Sequence, residues 1–172
     1  GIKRRLRLAG NGPRGIAIAG DRVYACEYYS DSLAVVNFDP EARHRPESLP
    51  LGPKVAMDEV RRGEMLFNDA TICFQHWQSC ASCHPDARTD ALNWDLLNDG
   101  MGNPKQTKSM LLSHKTPPSM VSAIRGSAEV AVRAGIRFIL FAVRPEEDAN
   151  AMDAYLSSLQ PVPSPYLVDG KL

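Results

Sequence analysis

The sequence predicts a mainly α-helical domain that follows a short three-stranded antiparallel β segment, and three observations lead to this prediction. Turn signals alternate with apolar, β-branched runs over about residues 8–40. Beyond residue 57, apolar residues recur at helical spacing in three segments. The chain has 172 residues, 44% of them hydrophobic and 23% charged, which allows a sizeable core. These values exclude a disordered or collagen-like chain.

The charge balance narrows the range of partners. Lys and Arg number 20, Asp and Glu also number 20, and the formal net charge is +0. Such a chain has no long-range field to hold an anionic polymer, so we expect no nucleic acid partner. No apolar run reaches the roughly 18 residues of a spanning helix, and the N-terminal region does not have the pattern of a signal peptide. We therefore expect no membrane span.

The β segment is assigned to residues 1–44. Turn signals at residues 12–13, 20–21 and 30–32 separate three short runs that favour strands. Three short strands cannot bury their own faces, so such a unit normally stacks on neighbours. The order of turns and strands resembles one YVTN-type blade of a β-propeller over about residues 8–40. The resemblance implies a partial blade that other blades precede.

A linker is predicted at residues 45–54, because this stretch is polar and contains three prolines. It opens the second domain, assigned to residues 45–172. The first helix of that domain is expected from about Met57 to Asp69, with two acidic residues in its first turn. A second helix is expected from near Ser127, and a third from Pro145.

The motif that carries chemistry is Cys80-Ala81-Ser82-Cys83-His84, the attachment sequence of haem c. Two thiols separated by two residues reach the two vinyl groups of one porphyrin edge, and the next residue places an imidazole under the iron. The alternatives are a redox dithiol or plain disulfide, or a zinc site built from Cys73, the two motif cysteines and either His76 or His84. The histidine directly after the second cysteine favours one covalent haem c.

The surroundings of the motif resemble class I cytochromes c. A helix that contains Gly63 precedes Cys80, and the last helix contains Tyr155 and Leu156. The first and last helices of that family cross closely, and the resemblance implies that Gly63 lies at the crossing. The other interpretation is that Gly63 only weakens its helix.

A six-coordinate haem needs a second axial ligand, for which the candidates are Met101, Met110, Met120 and His114. The residues 107–110 and 116–120 look like the distal segment of bacterial di-haem cytochrome c peroxidases and of their relatives in methylamine utilisation. This resemblance spans about residues 57–160 and implies that Met120 binds the iron.

A rival position for the ligand comes from the same family. Gly100-Met101-Gly102 stands where family members carry a histidine between glycines, so Met101 is the main alternative and His114 the next. Any single methionine also has an ordinary interpretation as core filling.

Charged and aromatic residues near the motif are further candidates for cofactor binding. Arg88 and Arg125 are candidates to pair with a haem propionate, and the ordinary interpretation of each is a solvated surface ion pair. Trp94 and Trp77 flank the motif and are expected to pack on the porphyrin rather than carry electrons.

Two cysteines lie outside the motif. Cys26 and Cys73 form a disulfide in an oxidising compartment if they lie close together, or else remain free buried thiols. Spacing alone leaves both options open.

The predicted function is one-electron transfer through a covalent haem with a sulfur ligand. The resemblance implies a fragment of a larger peroxidase-like oxidoreductase, with propeller blades before it and a second haem domain after it. Its redox partner is then that haem domain or another protein, and its compartment is the periplasm, where haem is attached. The alternatives are a binding or structural module with a non-catalytic haem domain, and a single-haem peroxidase with an open iron site.

Overall fold

The computed structural model describes residues 2, 5–39, 45–96 and 100–171. The chain divides into two compact units, Gly1–Ala56 and Met57–Leu172. This division lies beyond the predicted boundary between residues 44 and 45. Residues 40–44, where the sequence placed the end of the β segment, lie outside the described residues.

The first unit contains one antiparallel sheet in which neighbouring strands follow one another in the chain. Its strands are β1 (Pro13–Ala19), β2 (Arg22–Glu27), β3 (Ser32–Asn37) and β4 (Glu47–Pro50). The three predicted strands form as β1, β2 and β3, and the sequence missed β4, which forms inside the predicted linker at residues 45–54. Proline is tolerated there because β4 pairs only with β3 and its other edge needs no ladder hydrogen bonds.

The fully buried side chain of Glu27 links the strands of this sheet through hydrogen bonds. Its carboxylate accepts hydrogen bonds from the backbone N–H of Gly10 at 2.6 Å, from the hydroxyl of Ser32 at 2.6 Å, and from the hydroxyl of Ser48. Burial acts to raise the pKa of Glu27, but the hydrogen bonds from Ser32, Ser48 and Gly10 outweigh it and lower the pKa. The carboxylate therefore ties β2 to β3, β4 and the segment before β1.

Among its described residues, the second unit contains four α-helices and one short ribbon. They are α1 (Glu59–Asn68), α2 (Cys80–Cys83), β5 (Asn93–Trp94), β6 (Lys105–Gln106), α3 (Ala128–Phe138) and α4 (Glu146–Ser158). The three predicted helices are confirmed as α1, α3 and α4. The prediction of a mainly α fold was right only in part, because the four-stranded sheet and the ribbon make the chain a mixed α and β structure. In the described part of the chain, no helix has the length and apolar character needed to cross a membrane.

Helices α1 and α4 cross at Gly63, which is one of the two interpretations that the sequence left open. A Cβ atom at this position would lie 1.9 Å from the carbonyl oxygen of Ala151 and 2.9 Å from the Cβ of Tyr155. Only glycine allows the two backbones to approach this closely. The close approach brings Phe67 of α1 and Leu156 of α4 into one apolar core.

A buried carboxylate reinforces the start of α4. Asp148 is 1% exposed and accepts hydrogen bonds from Arg62 of α1 at 2.5 Å and from Arg144 at 2.8 Å. Both arginines are partly exposed, so their charges keep some contact with water. Breaking the network would therefore leave the buried carboxylate without hydrogen-bond partners, whereas water would still solvate the two arginines.

Replacement of Asp148 by asparagine is expected to lower the free energy of unfolding by about 2–3 kcal/mol, because two charge-assisted hydrogen bonds are lost around a buried group. Urea unfolding measures the change. The exposed neighbour Glu147 provides the control, since Glu147→Gln should change stability by less than about 0.5 kcal/mol. Equal effects of the two substitutions would contradict the role of the buried network.

Candidate haem-binding cavity

The Cys80–Cys83 segment forms a single helical turn whose N-terminus is capped by serine side chains. The backbone N–H of Ser79 donates to the hydroxyl of Ser82 at 3.0 Å, and the side chain of Ser79 accepts from the backbone of Ser82. The backbone N–H of His84 then donates to the carbonyl of Cys80 at 2.9 Å. The local sequence thus holds both thiols and the imidazole on one tight turn.

His84 is held in the form that can bind a metal. Its Nδ1 lies 3.2 Å from the carbonyl oxygen of Arg88, and because a carbonyl only accepts, Nδ1 carries the hydrogen. Burial lowers the pKa of His84, although hydrogen bonds to the backbone of Arg88 and Lys108 act in the opposite direction. The imidazole is therefore neutral near pH 7, and in this tautomer the lone pair is on Nε2.

The two thiols of the motif differ from those of a redox dithiol. Burial raises the pKa of Cys80 to about 12, and it also raises the pKa of Cys83. Reactive Cys-x-x-Cys pairs have a lowered thiol pKa instead. The zinc alternative fails as well, because among the described residues no three His, Cys, Asp or Glu side chains lie close enough to hold a metal ion.

In the haem-free protein, Cys80 is expected to react with iodoacetamide at pH 8 about 50- to 100-fold more slowly than an ordinary thiol. A raised pKa lowers the fraction of Cys80 that is thiolate at pH 8. It also makes each thiolate more nucleophilic, but this gain is smaller than the loss. Exposed Cys26 is the internal reference. Peptide mass spectrometry over time measures both rates. The rate at Cys80 should rise with pH up to about 12. Equal rates at pH 8 would contradict the burial of the thiol.

The turn forms one wall of a cavity with a volume of about 210 Å³. The other walls come from α3, from α4 and from the irregular stretch that includes the ribbon β5–β6. This volume is below the range of about 300–1,000 Å³ that is usual for ligand pockets. Met120 on the wall is 45% exposed, so the cavity opens to solvent on that side.

One wall has room for a flat group. Helix α3 presents Ala131, Ala134 and Gly135 to the cavity, and a Cβ atom at Gly135 would meet no atom within 4 Å. Apolar side chains of Phe67 and Leu140 complete the interior. The small residues, the apolar lining and the set of two thiols with one neutral imidazole fit a porphyrin that enters from the open side.

Most of the predicted site residues meet in this cavity. The lining includes both cysteines and the histidine of the motif, and it also includes Trp94, Met120 and Arg125. Met110, one of the four candidate distal ligands, lines it as well. Its backbone N–H donates to the carbonyl of Ala87 at 2.9 Å, which brings it beside the motif.

Other candidates lie elsewhere. Arg88 is exposed and is not among the lining residues; it contributes its carbonyl to His84 rather than its guanidinium to the cavity. Met101 is 87% exposed and Trp77 is also exposed, and neither lines the cavity. His114 lies 2.9 Å from Asp153 and is engaged in an ion-pair network with α3 and α4.

The two remaining cysteines are free thiols. Cys73 is buried in the second unit, in line with the alternative of a free buried thiol. Cys26 instead is exposed on β2 of the first unit. The possible disulfide between them is not formed. Exposure of Cys26 follows from its place on a strand whose neighbours Ala25 and Glu27 point to the buried face.

Sequence reasoning missed Lys105, which lines the cavity as the cross-strand partner of Trp94. The strands β5 and β6 have two residues each, which is too short for an alternating pattern of polar and apolar residues. The lack of periodicity over this stretch was a weak signal that it wraps a ligand.

The cavity defines the class of site, in which two partly buried thiols and one imidazole face a space for a flat group. Comparisons with known proteins add to this. No protein-family profile matches the chain. Hydrazine synthase subunit gamma of Kuenenia stuttgartiensis is 38% identical over 80 residues, which are 46% of this chain and 22% of that protein. The structure of Kuenenia stuttgartiensis hydrazine synthase pressurized with 20 bar xenon matches with a TM-score of 0.58 and 28% identity.

That structural match covers 70% of this chain and 42% of the matched chain. The chain therefore spans about a fifth of the length of the curated relative and less than half of the solved one. The fold is accordingly similar to part of a hydrazine synthase.

These findings correct the family resemblance drawn from the sequence. The likeness to bacterial di-haem cytochrome c peroxidases was wrong, since both matches are to hydrazine synthase. The β-propeller blade also has no support from them. Both resemblances rested on short turn and Pro-Met segments, which reflect local backbone geometry more than ancestry.

Proposed function

We propose that this chain binds one haem c and transfers single electrons as part of a larger oxidoreductase assembly related to hydrazine synthase. The observation that supports the proposal most strongly is that Cys80, Cys83 and His84 share one cavity with Met120. The arrangement of α1 and α4, which cross at Gly63, accords with a domain like that of class I cytochromes c.

Each residue of the site has a distinct role in this proposal. Cys80 and Cys83 would hold the porphyrin through thioether bonds, and Nε2 of His84 and the sulfur of Met120 would bind the iron. Bound haem supplies one-electron exchange through its iron, and a sulfur ligand favours the reduced form. Phe67 and Leu140 exclude water from the inner part of the cavity.

The hydrogen bond at Nδ1 of His84 orients the imidazole in this proposal. It fixes the ring orientation and the tautomer that leaves Nε2 toward the iron. Arg88 therefore acts through its backbone, and its side chain can change without loss of the ligand.

The partner and the compartment follow from the same proposal. The curated relative is a subunit of a hydrazine synthase, so we propose a protein partner of a multi-subunit complex as the source or acceptor of the electron. Haem attachment to a Cys-x-x-Cys-His motif occurs after export, so the proposed compartment is the periplasm or an equivalent space.

The test is production of the chain by export from a host with haem-attachment machinery, followed by intact mass and a reduced-minus-oxidised visible spectrum. We expect the mass of one covalent haem and a reversible c-type spectrum. The double substitution Cys80→Ser, Cys83→Ser should abolish the covalent increment, whereas Cys26→Ser, at an exposed position, should leave it. A colourless exported protein of unmodified mass would overturn the proposal.

A further inference from the structure

Two cationic side chains line the cavity, and they come from two different segments of the chain. Lys105 belongs to β6 and Arg125 closes the loop that carries Met120, and both residues line the cavity and are half-buried. The lining residues in the described part of the chain include no aspartate or glutamate. Lys105 and Arg125 therefore add positive charge to a lining that is mostly apolar but also contains neutral polar residues such as Gln78 and Asn103.

The positions of the two cations are fixed by the backbone. Lys105 is the cross-strand partner of Trp94, and its ammonium donates to the carbonyl of Asn103, another lining residue, at 3.1 Å. The loop of Arg125 is closed by paired backbone hydrogen bonds with Ser119 of 2.8 Å and 3.4 Å. The ribbon and the loop thus contribute one cationic side chain each.

Arg125 is suited to receive a ligand carboxylate. It forms no ion pair with any described residue, although a half-buried guanidinium is costly to leave without an anion. An acid-bearing group in the cavity would supply Arg125 with an anion, and Lys105 lines the same cavity.

We propose that Lys105 and Arg125 bind the two propionates of the haem and so orient its carboxylate edge toward the open side, with the opposite edge at Cys80 and Cys83. This inference rests on the proposed function. Porphyrin carboxylates project from the side of the ring away from the attached vinyl positions, and the cations and thiols lie on different walls of one cavity. Lys105 and Arg125 are positioning residues in this assignment.

The first experiment uses the full chain with Cys80→Ser and Cys83→Ser, so that no porphyrin is attached. Binding of iron protoporphyrin IX is compared with binding of its dimethyl ester, in which both carboxylates are blocked. We expect the free acid to bind at least about threefold more tightly, as two partly exposed ion pairs require. Lys105→Gln with Arg125→Gln should remove this preference.

Matched controls are Lys115→Gln and Arg137→Gln, a lysine and an arginine that are exposed and do not line the cavity. They should retain the preference for the free acid. A preference that survives in the Lys105→Gln, Arg125→Gln protein would overturn the inference.

A second measurement uses the exported protein with attached haem. Loss of positive charge beside the propionates should lower the reduction potential in Lys105→Gln and Arg125→Gln, whereas Lys105→Arg should restore it. If haem attaches but the potentials equal those of the two controls, the inference fails and the proposed function stands. If the chain neither attaches haem nor binds the free acid, both fail.

Discussion

Replacing Gly63 by alanine is expected to lower the free energy of unfolding by about 2–3 kcal/mol, although alanine is the better helix former. The added methyl group would lie 1.9 Å from the carbonyl oxygen of Ala151, a backbone atom that moves only if α4 moves. Urea unfolding of the haem-free chain measures the loss.

The same substitution in α3 provides the control. Gly135→Ala adds an identical methyl group where no atom lies within 4 Å, so it should raise stability by about 0.5–1 kcal/mol through helix propensity alone. Two glycines in helices are thus expected to respond with opposite signs. A stabilising Gly63→Ala would show that α1 and α4 do not approach as closely as described.

The crossing also affects the cavity. Phe67 of α1 and both Met152 and Leu156 of α4 belong to the core cluster and to the cavity lining. Separation of the two helices therefore changes the inner wall as well as the core. We expect Gly63→Ala to reduce the yield of attached haem in exported protein.

The parts of the fold that the sequence predicted are those with local causes. Helix α1 begins at a cap whose Asp58 side chain accepts from the backbone of Arg61 at 2.8 Å, and Ser127 caps α3 in the same way. The spacing of Cys80, Cys83 and His84 also acts within one turn. Each signal lies within a few residues of its effect, so the sequence alone carries it.

The remaining parts depend on contacts between distant segments. Strand β4 forms because β3 offers an edge, and prolines at 46 and 50 conceal it in the sequence. The ribbon that brings Lys105 to Trp94 is held by pairing across ten intervening residues. Which methionine faces the cavity likewise depends on how the stretch between α2 and α3 folds, and no periodicity in the sequence reports this.

Met120 and Met110 both line the cavity, but their surroundings differ. Met110 packs against the buried core cluster, which engages its side chain. Met120 is 45% exposed and has a φ of 73°, on the loop that Ser119 and Arg125 close. Met120 is therefore the stronger candidate for the second axial ligand.

In exported protein with attached haem, Met120→Ala is expected to convert the iron completely from low spin to high spin, because its sulfur ligand is lost. The reduction potential should fall, and the reduced protein should bind carbon monoxide. Visible spectra of both oxidation states and a redox titration measure these changes.

Met110→Ala and Met101→Ala separate the ligand from its neighbours. Met110→Ala should keep the low-spin spectrum and lower stability by about 2 kcal/mol, because a partly buried side chain is removed from the core. Met101→Ala should change neither, since the side chain is 87% exposed and lies outside the cavity. If Met110→Ala gave the high-spin spectrum and Met120→Ala did not, Met110 would be the ligand. The loop of Met120 would then contribute only Arg125, which binds a haem propionate in the proposal above.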